Sequence, residues 1–179
     1  MSYIEIVPIG ETDRKLLERI APAISEALDM PANVSPSMPL IESAFNPTRR
    51  QYLSSALLER LERARHASAV CSLGVADVDM YAPRLSFVFG EAILLGRVAV
   101  ISLVRLRPEF YGGPPDPRVL ERRAVIEAVH EISHTLGLQH CPSKHCVMRF
   151  SNCIEHSNHK GFAFCERCAR AVKGLLLAA

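Results

Sequence analysis

A chain of 179 residues with 49% hydrophobic content is long enough to bury a sizeable core, and one globular domain over residues 1–179 is the expectation. A formal net charge of only +2 gives no global argument for nucleic acid or an anionic membrane surface as a partner. No basic leader with a long apolar core opens the sequence, and no apolar run approaches the roughly 18 residues that span a bilayer, so a cytoplasmic monomer without membrane attachment is expected. Six cysteines in such a chain read as metal ligands and free thiols, not as a disulfide framework.

Tyr3 to Pro8 alternates and is bounded by Pro8 and Gly10, which suits a first strand. Thr12 or Asp13 can cap a helix whose apolar positions Leu16, Leu17, Ile20, Ala23, Ile24 and Leu28 follow a 3.6 period. Met30 to Leu40 carries three prolines and has room for a short edge strand at best. Asn46-Pro47 reads as a helix start, cap then first-turn proline, with Tyr52, Leu53, Ala56, Leu57 and Leu61 as the apolar stripe. Ala69 to Val78 is small and β-branched, a buried strand running out at Asp77-Val78-Asp79. Leu85 to Ala92 and Arg97 to Leu106 read as two more strands.

Pro108 to Pro117 is the loosest connection, after which Asp116-Pro117 caps a long helix. Its inner face is Leu120, Ala124, Ala128 and Ile132, with Glu121, Arg122, Arg123 and Glu127 placed nearer solvent. A last helix covers about Cys165 to Leu177. The order β-α-(β)-α-β-β-β-α with a cysteine-rich tail implies an α/β (α+β) fold, a mixed, twisted sheet backed by two helices.

The long helix delivers the chemistry. His130 and His134 lie four apart, one turn up the same helix face, and can aim at one ion. Glu131 sits beside the first, free to act as base on a water at that ion. His140 is six residues past His134, about 9 Å further along a continuing helix and turned away. It can close the site only if the helix stops first, and Gly137 is the residue able to take the left-handed conformation that stops it. Three histidines leave a fourth zinc position open, the arrangement of a catalytic site.

Downstream, Cys141-x4-Cys146 and Cys165-x2-Cys168 are two close pairs of the kind that build a structural zinc site of four thiolates. In an extended segment His140 and Cys141 point to opposite sides, so they serve different metals. Lys144 and Arg167 lie where they can offset thiolate charge. His145 is an alternative ligand to one cysteine, and Cys71 and Cys153 suit plain buried packing. His156 and His159 fit a solvated loop better than a third site. Met148, eight residues after His140, resembles the methionine of a Met-turn, an apolar floor below the catalytic metal; in isolation it would read as an ordinary core methionine.

The string His130-Glu131-x2-His134-x2-Gly137-x2-His140-Cys141-x4-Cys146-x-Met148, with Cys165-x2-Cys168, resembles the archaemetzincins, a metzincin family. Ala44 to Tyr52 and Phe87 to Gly90 also look like family segments. The resemblance implies a compact metzincin domain with an active-site helix, a Met-turn and a C-terminal helix. It implies a catalytic zinc on His130, His134 and His140 with Glu131 as base, and a second, structural zinc on Cys141, Cys146, Cys165 and Cys168. In some metzincins a tyrosine stands two residues after the Met-turn methionine; here it is Phe150, which has no hydroxyl.

The activity expected is hydrolysis of peptide bonds in a peptide or protein substrate by a zinc-bound water that Glu131 activates. Substrate would add to the edge of the Leu85–Ala92 strand, with specificity from residues 149–160. Two other classes compete: a zinc-stabilised peptide-binding or regulatory module with little turnover, and a nucleic-acid-binding zinc ribbon, which the near-neutral charge disfavours.

Overall fold

The computed structural model describes residues 2–151, 153–155 and 160–178. Five strands form the main sheet: β1 (Tyr3–Ile9), β2 (Ala32–Val34), β5 (Ala69–Ala76), β7 (Gly90–Ala92) and β8 (Val98–Ser102). Their order across the sheet is β2-β1-β5-β8-β7. The first four in that order pair in parallel, and β7 closes one edge antiparallel to β8. The central strands read as continuous apolar runs because both of their faces are covered. Ile4, Ile6, Leu73, Ala99 and Ile101 pack to one side, with helices α1 (Arg14–Leu28) and α3 (Pro117–Thr135). Ile9, Ala76, Val98 and Val100 pack to the other, with α2 (Ser54–Ala64).

Helix starts follow the local chemistry with one exception. Asp13 caps α1 by accepting from the backbone N–H of Lys15, while the neighbouring Thr12 hydroxyl donates to the Ile9 and Val75 carbonyls. Asp116 caps α3 by accepting from Arg118 and Val119, with Pro117 in the first turn. Asn46-Pro47, however, opens no helix. The Asn46 carboxamide oxygen accepts from the Arg49 N–H across a tight turn, and the chain folds into the hairpin β3 (Phe45–Asn46) and β4 (Gln51–Leu53). The same Asx chemistry that caps a helix here closes a turn. α2 starts only at Ser54.

β4 continues in parallel with β6 (Met80–Tyr81), giving a small second sheet beside the main one. Of Leu85–Ala92 only the last three residues are a strand. Residues 85–89 run as an irregular segment tied to β6 through the Met80–Val88 bridge. The strand expected at Arg97–Leu106 ends at Ser102 and passes into a 3-10 turn, Val104–Leu106. A last helix, α4 (Glu166–Ala178), packs Cys168 and Val172 against the α1–α3 side of the core. Among the described residues, no helix is long and apolar enough to cross a membrane.

Two residues assigned to the solvent side of α3 are buried. Arg123 donates to the Leu106 carbonyl at 2.7 Å, and Glu127 lies 3.5 Å from the ammonium of Lys160, which is itself wholly buried. The amphipathic reading of α3 fails because Arg123 reaches back to the Leu106 carbonyl and Lys160, from the chain after Met148, covers Glu127.

Candidate metal centres

α3 ends as the third-histidine argument requires. Gly137 has φ +105°, its N–H donates to the His134 carbonyl, and the Leu138 N–H donates to Ser133. That pair of bonds is a Schellman closure with Gly137 as its left-handed residue. A Cβ there would stand 2.5 Å from Leu95 Cδ2, so the turn demands glycine on steric grounds as well. The reversal brings His140 back against the helix, its ring 5.3 Å from that of His130 and 4.8 Å from that of His134. One ring nitrogen from each histidine lies within 4.8 Å of the other two.

The protons on two of these rings can be assigned. His130 Nδ1 faces the Val147 carbonyl at 2.7 Å, and His134 Nδ1 faces the Leu138 carbonyl at 2.6 Å. A carbonyl only accepts, so both Nδ1 atoms carry the proton and both Nε2 atoms present bare lone pairs. Those two Nε2 atoms face each other at 3.1 Å. Lone pairs so placed repel unless a cation sits between them, and ligands about 2.1 Å from a tetrahedral zinc stand some ~3.4 Å apart. Burial also pushes the His130 pKa well below its ordinary value, with Lys160 adding to the effect, and lowers those of His134 and His140. All three rings are thus held in the neutral form that binds metal.

Glu131, 7% exposed, projects toward the sheet edge, where Gly90 leaves room for it. Burial, with Glu127 and Glu91 close by, pushes its carboxyl well above the ordinary carboxylate range, while Lys160 pulls the other way. A cleft of about 610 Å³ opens over this group. The segment 85–92 and Leu94 line it from the sheet side, and Phe150 and Ser151 from the segment after Met148. Phe150 is 56% exposed, and its ring stands 5.0 Å from that of His140. β7 ends the sheet, and among the described residues no strand pairs with its outer side, which borders the cleft.

The four cysteines Cys141, Cys146, Cys165 and Cys168 form the second cluster, their sulfurs within 4.8 Å of one another. Cys141 Sγ lies 3.8 Å from Cys165 Sγ, and thiolates about 2.3 Å from a tetrahedral zinc stand ~3.8 Å apart. The Cys168 N–H and neighbouring thiols bring Cys165 down to about 7, whereas burial pushes Cys168 up. The Arg167 guanidinium donates to Cys141 Sγ at 3.4 Å, the charge offset expected of it; Lys144 is exposed. His145 is exposed and outside the cluster, Cys71 is buried in the core, and Cys153 is half-buried. His156 and His159 lie outside the described residues.

Met148 is fully buried in the main core. Its carbonyl accepts from the Cys141 N–H at 2.8 Å, and its neighbour Val147 orients His130. One short stretch of backbone therefore touches both centres. Three participants escaped the sequence reading: Gly90 beside Glu131, and the buried pair Glu127 and Lys160. A glycine in a strand and a lysine in a polar stretch carry no local signal of what they meet across the fold.

Comparison with known proteins agrees with this geometry. Residues 13–174 match Peptidase family M54. The archaemetzincin of Methanocaldococcus jannaschii is 42% identical over 168 residues, covering 94% of this chain and 91% of its own length. The crystal structure of archaemetzincin from Methanopyrus kandleri superposes with a TM-score of 0.84 at 35% identity, over 98% of this chain and 96% of that one. A zinc-dependent peptidase from Methanocorpusculum labreanum gives a TM-score of 0.87 at 29% identity, over 94% and 99% of the two chains. Likeness of this extent, on a sheet and helix that gather three imidazoles, defines a zinc metallopeptidase of the metzincin class. The chain belongs to peptidase family M54, the archaemetzincins.

Proposed function

We propose that residues 1–179 act as one catalytic unit that hydrolyses peptide bonds, with His130, His134 and His140 holding a catalytic zinc. Cys141, Cys146, Cys165 and Cys168 hold a second, structural zinc, closed to substrate because no ligand position is left over. The observation that carries the first assignment is the 3.1 Å approach of two unprotonated Nε2 atoms, each fixed by a carbonyl behind it. When bound there, zinc supplies Lewis acidity to the scissile carbonyl and to water.

The chain's own residues do the rest. An extended substrate adds to the free side of β7, which aligns its backbone with Glu131 below. Glu131 takes the proton of the attacking water and returns it to the leaving nitrogen. Burial raises its proton affinity, which favours the proton-accepting half of that task. Met148, buried beneath, keeps the floor apolar and the Val147 carbonyl on His130.

The test is a proteome-derived peptide library presented to wild type and to Glu131→Gln. Both should hold the same zinc, and the variant should cleave at least about 100-fold more slowly. Identical product profiles would instead favour a zinc-stabilised peptide-binding module whose apparent cleavage comes from elsewhere.

A further inference from the structure

The cleft's sheet-side rim, residues 85–89, is held by a polar network that neither core packing nor the metal sites require. Arg49 Nη2 donates to the carbonyls of Leu85 at 2.8 Å and Ser86 at 3.1 Å. Gln51, only 5% exposed, donates from Nε2 to the Ser86 carbonyl and to Asp79 Oδ2, both at 3.0 Å. Its Oε1 accepts from Arg49 Nε at 3.0 Å, so both ends of the carboxamide are engaged and its orientation is fixed. Asp79 in turn takes a two-pronged bond from Arg105 at 2.7 and 2.8 Å. The Arg105 guanidinium lies over the ring of Phe87, 4.2 Å from its centre, and Arg49 lies 4.3 Å from that of Tyr81.

These bonds converge on an irregular stretch entered through Arg84 at φ +68°. Leu85 and Ser86 are exposed, so burial contributes little to holding them. Yet residues 85–92 line the cleft above Glu131 and lead into the β7 edge. A buried carboxamide engaged at both its nitrogen and its oxygen, as that of Gln51 is, fixes one geometry, which is its use where a site must be preorganised.

We propose that Arg49 and Gln51 are positioning residues for substrate: they set the height of the 85–89 rim over α3, so that an extended peptide enters already aligned with β7. The inference rests on the peptidase reading above and assigns a role to the Ala44–Tyr52 segment that the metal chemistry leaves without one. Gln51 acts through Ser86 and not on the reacting atoms, so its removal weakens substrate binding more than turnover.

The test compares wild type, Gln51→Ala and Arg49→Lys on the library's best-cleaved peptide at full length and on a version truncated next to the scissile bond. Gln51→Ala should raise KM about tenfold for the long peptide, keep kcat within twofold, and leave KM for the short one unchanged. Arg49→Lys, whose one nitrogen cannot hold the Gln51 oxygen and the two carbonyls together as Nε and Nη2 do, should fall between. Amide exchange at Leu85 and Val88 should quicken at least tenfold in Gln51→Ala, with that of Ala128–Ile132 unaltered. Unchanged exchange, a KM effect equal on both peptides, or a loss confined to kcat would overturn the proposal. A wild type that cleaves nothing overturns the peptidase reading and this one with it. A cleaving wild type whose KM matches that of both variants overturns this one alone.

Discussion

Gly90 on β7 and Glu131 on α3 are packed so closely that a Cβ at position 90 would stand 2.6 Å from Glu131 Cγ and 2.9 Å from its Oε1. The sheet edge and the carboxylate proposed as the base thus share one volume, and only hydrogen at position 90 leaves room for both. Gly90 needs no positive φ, but a Cβ there would also stand 2.9 Å from the Val100 carbonyl oxygen, so alanine presses on the neighbouring strand as well as on the Glu131 side chain. Gly90→Ala should lower kcat by about 100-fold, the scale of a 1 Å misplacement of a reacting group, while zinc content stays at the wild-type value. Single-turnover cleavage with parallel metal analysis measures both.

Gly137 fails differently. At φ +105°, with Leu95 Cδ2 at 2.5 Å from the would-be Cβ, alanine strains the backbone and collides at once. Gly137→Ala should cost about 1–2 kcal/mol, roughly 2–8 °C in Tm. It should also weaken zinc binding at the histidines, because His140 is placed by that turn. Calorimetry and chelator competition report the two effects separately.

The centres are mechanically linked through residues 146–148. Cys146 precedes the carbonyl that orients His130, and the Val147 N–H donates to Ala163, which leads into Cys165. Opening the sulfur cluster with Cys168→Ser should therefore reduce zinc affinity at the three histidines by about tenfold, the usual effect of disturbing a ligand's supporting hydrogen bond. Unaltered affinity at the histidine site in a folded Cys168→Ser protein would show that the two centres are independent.

Cys71 supplies a pH prediction away from either metal. Burial pushes its thiol up to about 11 from 9.0, against a hydroxyl contact from Thr135 and the charge of Arg65. Above pH 9 the unfolded thiol loses its proton while the folded one keeps it. The folded state then binds more protons, and stability falls as pH rises toward 11. The loss amounts to about 2–3 kcal/mol at its full extent. Urea titrations of wild type and Cys71→Ala across pH 8–11 should converge as pH increases, because the variant lacks this slope.

The histidine string and the cysteine pairs were legible because their meaning lies in spacing along the chain: a helix repeat, one glycine, two short loops. Gly137 could be assigned a left-handed turn from sequence because His140 would otherwise point away. Asn46-Pro47 misled because an Asx cap and an Asx turn share the same local bonds, and only the pairing of Gln51 and Tyr52 with β3 selects the turn. The strand expected over Leu85–Ala92 shrank to Gly90–Ala92 because side chains from the β3–β4 turn and from β4, Arg49 and Gln51, not a strand partner, hold residues 85 and 86. Glu127 was placed toward solvent because Lys160, its buried partner, lies 33 positions away in a stretch of polar residues. Tertiary partners of this kind leave no periodic trace.

The central claim is that a reversal at Gly137 completes a three-imidazole zinc site beside a separate four-thiolate one. Zinc analysis of the purified protein, combined with X-ray absorption at the zinc edge, tests it most directly. The account predicts two zinc ions per chain and an averaged shell containing both imidazole nitrogen and sulfur. One zinc per chain with a shell of sulfur alone would contradict it.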